Sequence, residues 1–327
     1  DTTAYRMHLP QAPGASSDGL VFSENYGRID GLQIRKGPVT QYSGNTCINL
    51  DQTEGDIRVS NNILRSINYS VYGTTAINEG NTGTPISATY RIWNNLIYDF
   101  VDIEQNNGRG IRFNNLGGST GRAYIYNNTV VNVYDGIIIT GFDVKAVNNI
   151  VQCDRYSSSF TDYTGGSYYT DDSSNNISSD DTAPGIDPRT NTQVIFRDAG
   201  NDDFHLSPDD VSALDQGTDV SGDLTLAVAE DIDGETRPVG TSYDMGADEG
   251  VTAIFRSVGP GSTSALADGS GGTTLTVSGT TAVFSDDIED AIGIGDLIEY
   301  DYNNSGSVNA LAFIHGRTSE TEYTVRS

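Results

Sequence analysis

The chain has 327 residues, 45 of them acidic and 18 basic, for a net charge of −27, with 36% hydrophobic content and 37 glycines. So acidic a surface excludes nucleic acid and anionic membranes as partners, because both need basic patches. It suits divalent cations, high salt or plain solubility. No apolar run approaches the ~18 residues of a membrane span, and the turn-rich composition without a long helical period reads as all-β.

The chain opens on an alternating strand, Ala4 to Leu9, followed by a loop rich in Gly, Ser and Pro to residue 25. Tyr26 to Ile34 is the first recognisable coil, and no amphipathic capping helix precedes it. An Asn-Asn pair then returns in one apolar frame: Asn61-Asn62, Asn94-Asn95, Asn127-Asn128 and Asn148-Asn149, at separations of 33, 33 and 21 residues. Weaker echoes lie at Ile29-Asp30-Gly31-Leu32 and Asn175-Asn176-Ile177. Between pairs a second apolar strand recurs, at Cys47-Ile48, Ala76-Ile77, Gly110-Ile111 and Gly136-Ile137.

A strand–turn–strand unit of this size cannot bury its apolar face alone, whereas coils stacked at strand spacing cap one another. Asn tolerates left-handed φ/ψ at a bend, and its amide can bond to the Asn one coil away. The pattern therefore predicts a parallel β-helix solenoid with a structural ladder of Asn62, Asn95, Asn128 and Asn149. The competing arrangement is a β-sandwich with Asn-rich hairpins. Cys47 and Cys153, the two thiols, are three or more coils apart in the solenoid. At ~4.8 Å per coil that is on the order of 15 Å, beyond the ~7 Å reach of a disulfide, so both are expected to be unpaired and buried.

Further along, Ser157 to Ser174 is polar and predicts a surface loop. Asn175 to Glu249 keeps short strands between acidic loops and should finish the solenoid, with Ser207-Pro208-Asp209-Asp210 able to start a short helix. Residues 251–327 change register into short strands with tight turns, the pattern of a small β-sandwich or barrel. Asp286 to Ile292 could form a turn or two of helix there, and Gly259 to Gly272 is either a hairpin or a linker. The boundaries are thus 1–250 for the solenoid with irregular last coils and 251–327 for a small all-β module.

The runs Asn127-Asn-Thr-Val-Val-Asn132, Gly136 to Ile139 and Val144 to Val151 resemble the right-handed parallel β-helix superfamily of pectate lyases, polygalacturonases and phage tailspikes. Asp203-Phe-His-Leu206, Asp215 to Asp219, Asp231 to Pro238 and Tyr243 to Glu249 resemble the closing segment of bacterial surface β-helix proteins with choice-of-anchor domains. Together the two cover roughly residues 20–250. The resemblance implies a right-handed coil. It names no reaction, because that superfamily holds enzymes, adhesins and spikes alike.

Neither the clustered calcium-binding aspartates of the lyases nor the three-aspartate motif of the polygalacturonases is intact. Asp102 and Asp135 both stand eight residues after their Asn pair, so they should stack on neighbouring coils, where close carboxylates must share a proton, bind a cation or repel. With Arg109, and with Asp99, Glu104 and Arg112 nearby, they are the catalytic candidates if the chain is an enzyme; the alternative is an acidic solvated face with Arg countercharges. Asp301, Asn303, Ser305 and Asn309 follow a calcium-loop pattern without its acidic twelfth residue, so Ca2+ and a plain hairpin turn both explain them. Asp231-Ile-Asp233-Gly234-Glu235 is a shorter case that Arg237 could neutralise. His8, His205 and His315 are scattered without a second His or Cys at ligand spacing.

The expected function is an extracellular structural or adhesive protein at the cell surface, not inserted in a membrane. Its partners would be other copies, further coils of the same chain, or carbohydrate. The strands at both ends favour covered edges and hence a head-to-tail filament; the alternative is a local loop cap assembled from residues 10–25. The alternatives are a lyase or hydrolase on acidic polysaccharide and a phage tail fibre or spike.

Overall fold

Period-two alternation turns every second side chain of a strand to one side, and winding closes that side into a core. The computed structural model describes residues 6–9, 18–37, 46–51, 54–66, 74–80, 85–101, 108–114, 118–153, 160–207, 209–239, 241–250, 274–287, 292–300 and 310–326. It divides into two compact units, Asp1–Thr252 and Ala253–Ser327.

In the first unit, β1 (Arg6–Leu9) precedes a three-strand round that repeats. The first two rounds are β2–β3–β4 (Leu20–Phe22, Tyr26–Asp30, Gln33–Lys36) and β5–β6–β7 (Thr46–Leu50, Asp56–Ser60, Ile63–Ser66). Next come β8–β9–β10 (Thr75–Glu79, Thr89–Trp93, Leu96–Tyr98) and β11–β12–β13 (Arg109–Asn114, Arg122–Tyr126, Thr129–Val131). The last full round is β14–β15–β16 (Asp135–Thr140, Asp143–Val147, Ile150–Gln152), and β17 (Thr161–Thr164) and β18 (Ile177–Ser178) end the series. Each strand pairs in parallel with its equivalent in the next round. The result is a seven-stranded sheet A, a six-stranded sheet B and a five-stranded sheet C. This is a parallel β-solenoid, in agreement with the repeat.

Ile48, Ile77, Ile111 and Ile137 are in register on sheet B and fully enclosed. The C-to-A corner explains the Asn pairs. Asn61, Asn94, Asn127, Asn148 and Asn175 adopt positive φ between 50 and 56°, which Asn accepts more readily than most residues; Gly31 fills that position in the first round at φ 71°. The second Asn of each pair points inward. Asn62, Asn95, Asn128 and Asn149 are fully buried, and each donates its Nδ2 to the Oδ1 of the next Asn at 2.9–3.0 Å, the last to Asn176. The ladder stands where the spacing placed it. At the next corner, Asn132 donates to Asp99, which also pairs with Arg65.

Three expectations are corrected. The solenoid begins before Tyr26, since β1 and β2 already belong to sheets A and B. The Ser157–Ser174 segment is not simply a surface loop: β17 extends sheet B, and Tyr163 and Tyr169 enter the core. Their hydroxyls donate to the carbonyls of Asn149 and Ile137, which makes these polar rings acceptable inside. The segment at Ser207 is a turn, with the Asp210 amide bonded to Ser207 O. Asp210 explains this, because its carboxylate accepts the amides of Ile195, Ser212 and Ala213 and so competes with a helix.

After β18 the chain adds isolated parallel bridges, Ser174 with Ile186 and Ile177 with Arg189, and then leaves the axis as a strap along the outside. β19 (Phe196–Asp198) and β20 (Asp203–Leu206) form a hairpin. Phe204 meets Tyr98 of sheet A at 4.9 Å between ring centroids, Leu206, Leu214 and Met245 cover Ile150 and Ile177, and Val220, Leu226 and Tyr243 cover Tyr126 and Val147 of sheet C. The corner amides anchor it: Asn94 donates to Glu230 O, Asn127 to Asp244 O, Asn148 to Thr218 O and Asn175 to Gln216 O. The region therefore belongs to the solenoid unit, but as an outer wrap more than as coils. Cys47 and Cys153 are free and buried, as expected.

In the second unit, β21 (Leu275–Ser278), β22 (Thr281–Phe284), β23 (Leu297–Tyr300), β24 (Ala310–Arg317) and β25 (Glu322–Arg326) form an antiparallel sheet in the order β21-β22-β25-β24-β23. It curls as a half-barrel around Ala282, Ile298, Ile314, Tyr323 and Val325. Residues 251–273 and most of the helix expected at 286–292 lie outside the described residues.

Candidate functional site

Of the residues singled out in the sequence, Asp102 and Glu104 lie outside the described residues, as do Asp301, Asn303, Ser305 and Asn309. Asp135 and Arg109 are together, on adjacent strands in direct register, with Arg109 Nε 3.8 Å from Asp135 Oδ2. Asp99 is committed to its corner. Asp231 turns Oδ1 to the amides of Asp233 and Glu235 and Oδ2 to the amide of Glu249. Arg237 pairs with Glu249 rather than with that loop.

The outer face of sheet B is built from a four-residue frame that repeats in register. Thr46-Cys-Ile-Asn49 is followed by Thr75-Ala-Ile-Asn78, Arg109-Gly-Ile-Arg112 and Asp135-Gly-Ile-Ile138. The third member, Ile, faces the core. In the first round a carboxylate spans the first and fourth, the buried Thr46 and the half-buried Asn49: Asp18 accepts Thr46 Oγ1 at 2.7 Å with one oxygen and Asn49 Nδ2 at 3.0 Å with the other. A carboxylate thus bridges positions one and four of the frame.

Two rounds on, those positions are Arg109 and Arg112. Both guanidiniums are half-buried, and burial lowers the pKa of each; Asp135 opposes the shift at Arg109, while at Arg112 the neighbouring Arg109 reinforces it and the Glu79 carboxylate opposes it. Arg112 makes no ion pair among the described residues. Burial raises Asp135, and Arg109 opposes that shift. The two adjoining guanidiniums thus stand among two carboxylates, Asp135 held loosely at 3.8 Å from Arg109 and the buried Glu79 acting on Arg112.

The strap's apolar clusters lie on sheets A and C, and none includes an outward residue of this frame. Guanidiniums are planar forks matched to carboxylates, and two side by side can take a carboxylate across both. Reasoning from the Asn pairs found Asp102 and Asp135, added Arg109 as their neighbour and left Arg112 as a bystander. The signal was in the chain, where the T-x-I-N frame becomes R-x-I-R. Comparison with protein-family models, with curated proteins and with solved structures finds no match to this chain.

Proposed function

We propose that this chain is a non-enzymatic, extracellular β-solenoid that adheres to a carboxylated polysaccharide through the outer face of sheet B, at Arg109 and Arg112. One observation carries the reading: Asp18 already bridges the equivalent positions, Thr46 and Asn49, with its two carboxylate oxygens. A uronate carboxylate presented to Arg109 and Arg112 would meet the same spacing with stronger, charge-assisted donors. A chain running along the solenoid axis would also cross Asn49 and Asn78, whose amides bond in line.

The second reading is a lyase on the same class of polymer. It is favoured by Asp135, whose carboxyl burial raises above the ordinary value beside the half-buried Arg109, since a carboxylate of raised pKa is the stronger general base. Binding of polygalacturonate and alginate, followed with release of unsaturated product, separates the two. Binding without product, weakened tenfold or more in Arg112→Gln (about 1.5–3 kcal/mol for a charge-assisted bond), supports adhesion. Product formation replaces it with the lyase reading, and no binding to either polymer removes both.

The outer edges of β1, β2 and β3 have no partner strand among the described residues. This supports more protein, a preceding coil or another copy, extending the solenoid at that end. At the other end, Ile186 and Arg189 bond to the last coil. Concentration-dependent light scattering tests self-association.

A further inference from the structure

The strap holds a cluster that neither the solenoid nor the sheet B face explains. His205, on β20, lies with Nδ1 2.5 Å from Asp203 Oδ1 and Nε2 3.1 Å from Asp233 Oδ2. A third carboxylate, Asp248, joins them: one ligand atom from each of His205, Asp233 and Asp248 falls within 4.8 Å of the others. Asp248 is only 6% exposed. Its Oδ2 accepts the Leu206 amide at 2.7 Å, and Oδ1 has no hydrogen-bond partner among the described residues. Burial pushes its carboxyl up to about 6, as expected for a buried acid with too little positive charge beside it.

We propose that His205 Nε2, Asp233 and Asp248 bind a divalent transition-metal ion of the zinc kind. Imidazole with two carboxylates suits zinc and its neighbours, whereas calcium and magnesium take oxygen ligands alone. Zinc–ligand distances of about 2.0–2.2 Å require the three atoms to draw together slightly, which the half-exposed His205 and Asp233 can do. Asp203 holds Nδ1–H, fixing the tautomer that leaves Nε2 to the metal, the usual carboxylate–histidine–metal arrangement. Asp231 is no ligand, because its oxygens are held by backbone amides.

The three ligands come from the β19–β20 hairpin, the turn at 231–235 and the end of the strap, so the ion would tie together three segments far apart in sequence. The site is independent of polysaccharide binding. The test uses the whole chain, stripped with chelator and titrated with Zn2+ and, separately, with Ca2+. The expected result is one Zn2+ per chain by elemental analysis, a higher melting temperature, and at least tenfold weaker binding in His205→Gln and Asp233→Asn. Asp203→Asn, acting through the imidazole, should weaken it roughly 10–100-fold. His205 and Asp233 are solvent-facing, and circular dichroism of each variant confirms that it folds. Undiminished binding in His205→Gln, no stoichiometric zinc, or equal stabilisation by Ca2+ would overturn the assignment.

Discussion

Asn127 and Asn128 are neighbours in sequence and face opposite ways. Asn127, at φ 50°, turns its amide outward to the carbonyls of Asp244 and Gly246 in the strap. Asn128 turns inward and joins Asn95 and Asn149. One pair therefore makes the corner, stitches the coils and docks the strap. Asn128→Leu should cost about 1–3 kcal/mol, because it leaves buried amides without partners. Asn127→Gly keeps the corner geometry but should speed hydrogen exchange in residues 244–246. Chemical denaturation and exchange mass spectrometry read the two effects, with exposed Asn25→Ala as the control. Equal losses for Asn128→Leu and Asn25→Ala would remove the ladder from the stability argument.

Arg237 Nη1 and Glu249 Oε2 are 2.7 Å apart, and neither side chain is exposed. Arg237 also donates to the carbonyls of Gly246 and Ala247. Removing one partner of such a pair strands the other charge, at about 3–5 kcal/mol. Arg237→Leu should therefore loosen the strap strongly in urea titrations. A loss under 1 kcal/mol would mean that the pair is dispensable.

Two carboxylates give opposite pH limbs. Burial resists ionisation of Asp223, but the amides of Thr225 and Leu226, with Lys145 and the Tyr126 hydroxyl, outweigh it and hold the pKa at about 2, below the ordinary 3.8. Its stabilisation is present above pH 3.8 and is lost as pH falls through 2. Burial raises Asp244 to about 8, so its contribution is present below pH 3.8 and is lost as pH rises through 8. Stability measured by denaturant titration should lose part of its acid limb in Asp223→Asn and part of its fall from pH 4 to 8 in Asp244→Asn. Unchanged slopes would count against these assignments.

Cys47 and Cys153 should label slowly in the folded chain and both fully after denaturation. Burial pushes the Cys47 thiol up to about 12 and raises Cys153 as well, leaving little of the reactive thiolate. Fast labelling of either thiol under native conditions would contradict the buried placement, and a melting temperature sensitive to reductant would contradict the unpaired state.

The repeat was legible because a solenoid's contacts are local. Every coil meets the same neighbours, so the Asn spacing and the apolar frame had to recur in the chain, and the ladder residues could be named from it. Tyr163 and Tyr169 were read as surface because composition does not show that a hydroxyl will find a carbonyl inside. The strap was read as coils for a related reason. Its docking on Asn94, Asn127, Asn148 and Asn175 joins residues 41 to 136 apart with no repeating period to announce them. The same holds for His205, Asp233 and Asp248, scattered along the sequence and gathered only when the strap folds back on itself. Local periodicity determined the solenoid and the frame that carries Arg109 and Arg112; the non-periodic contacts that place Asp248 beside His205 were decided by tertiary packing, because distance in space is not written in distance along the chain.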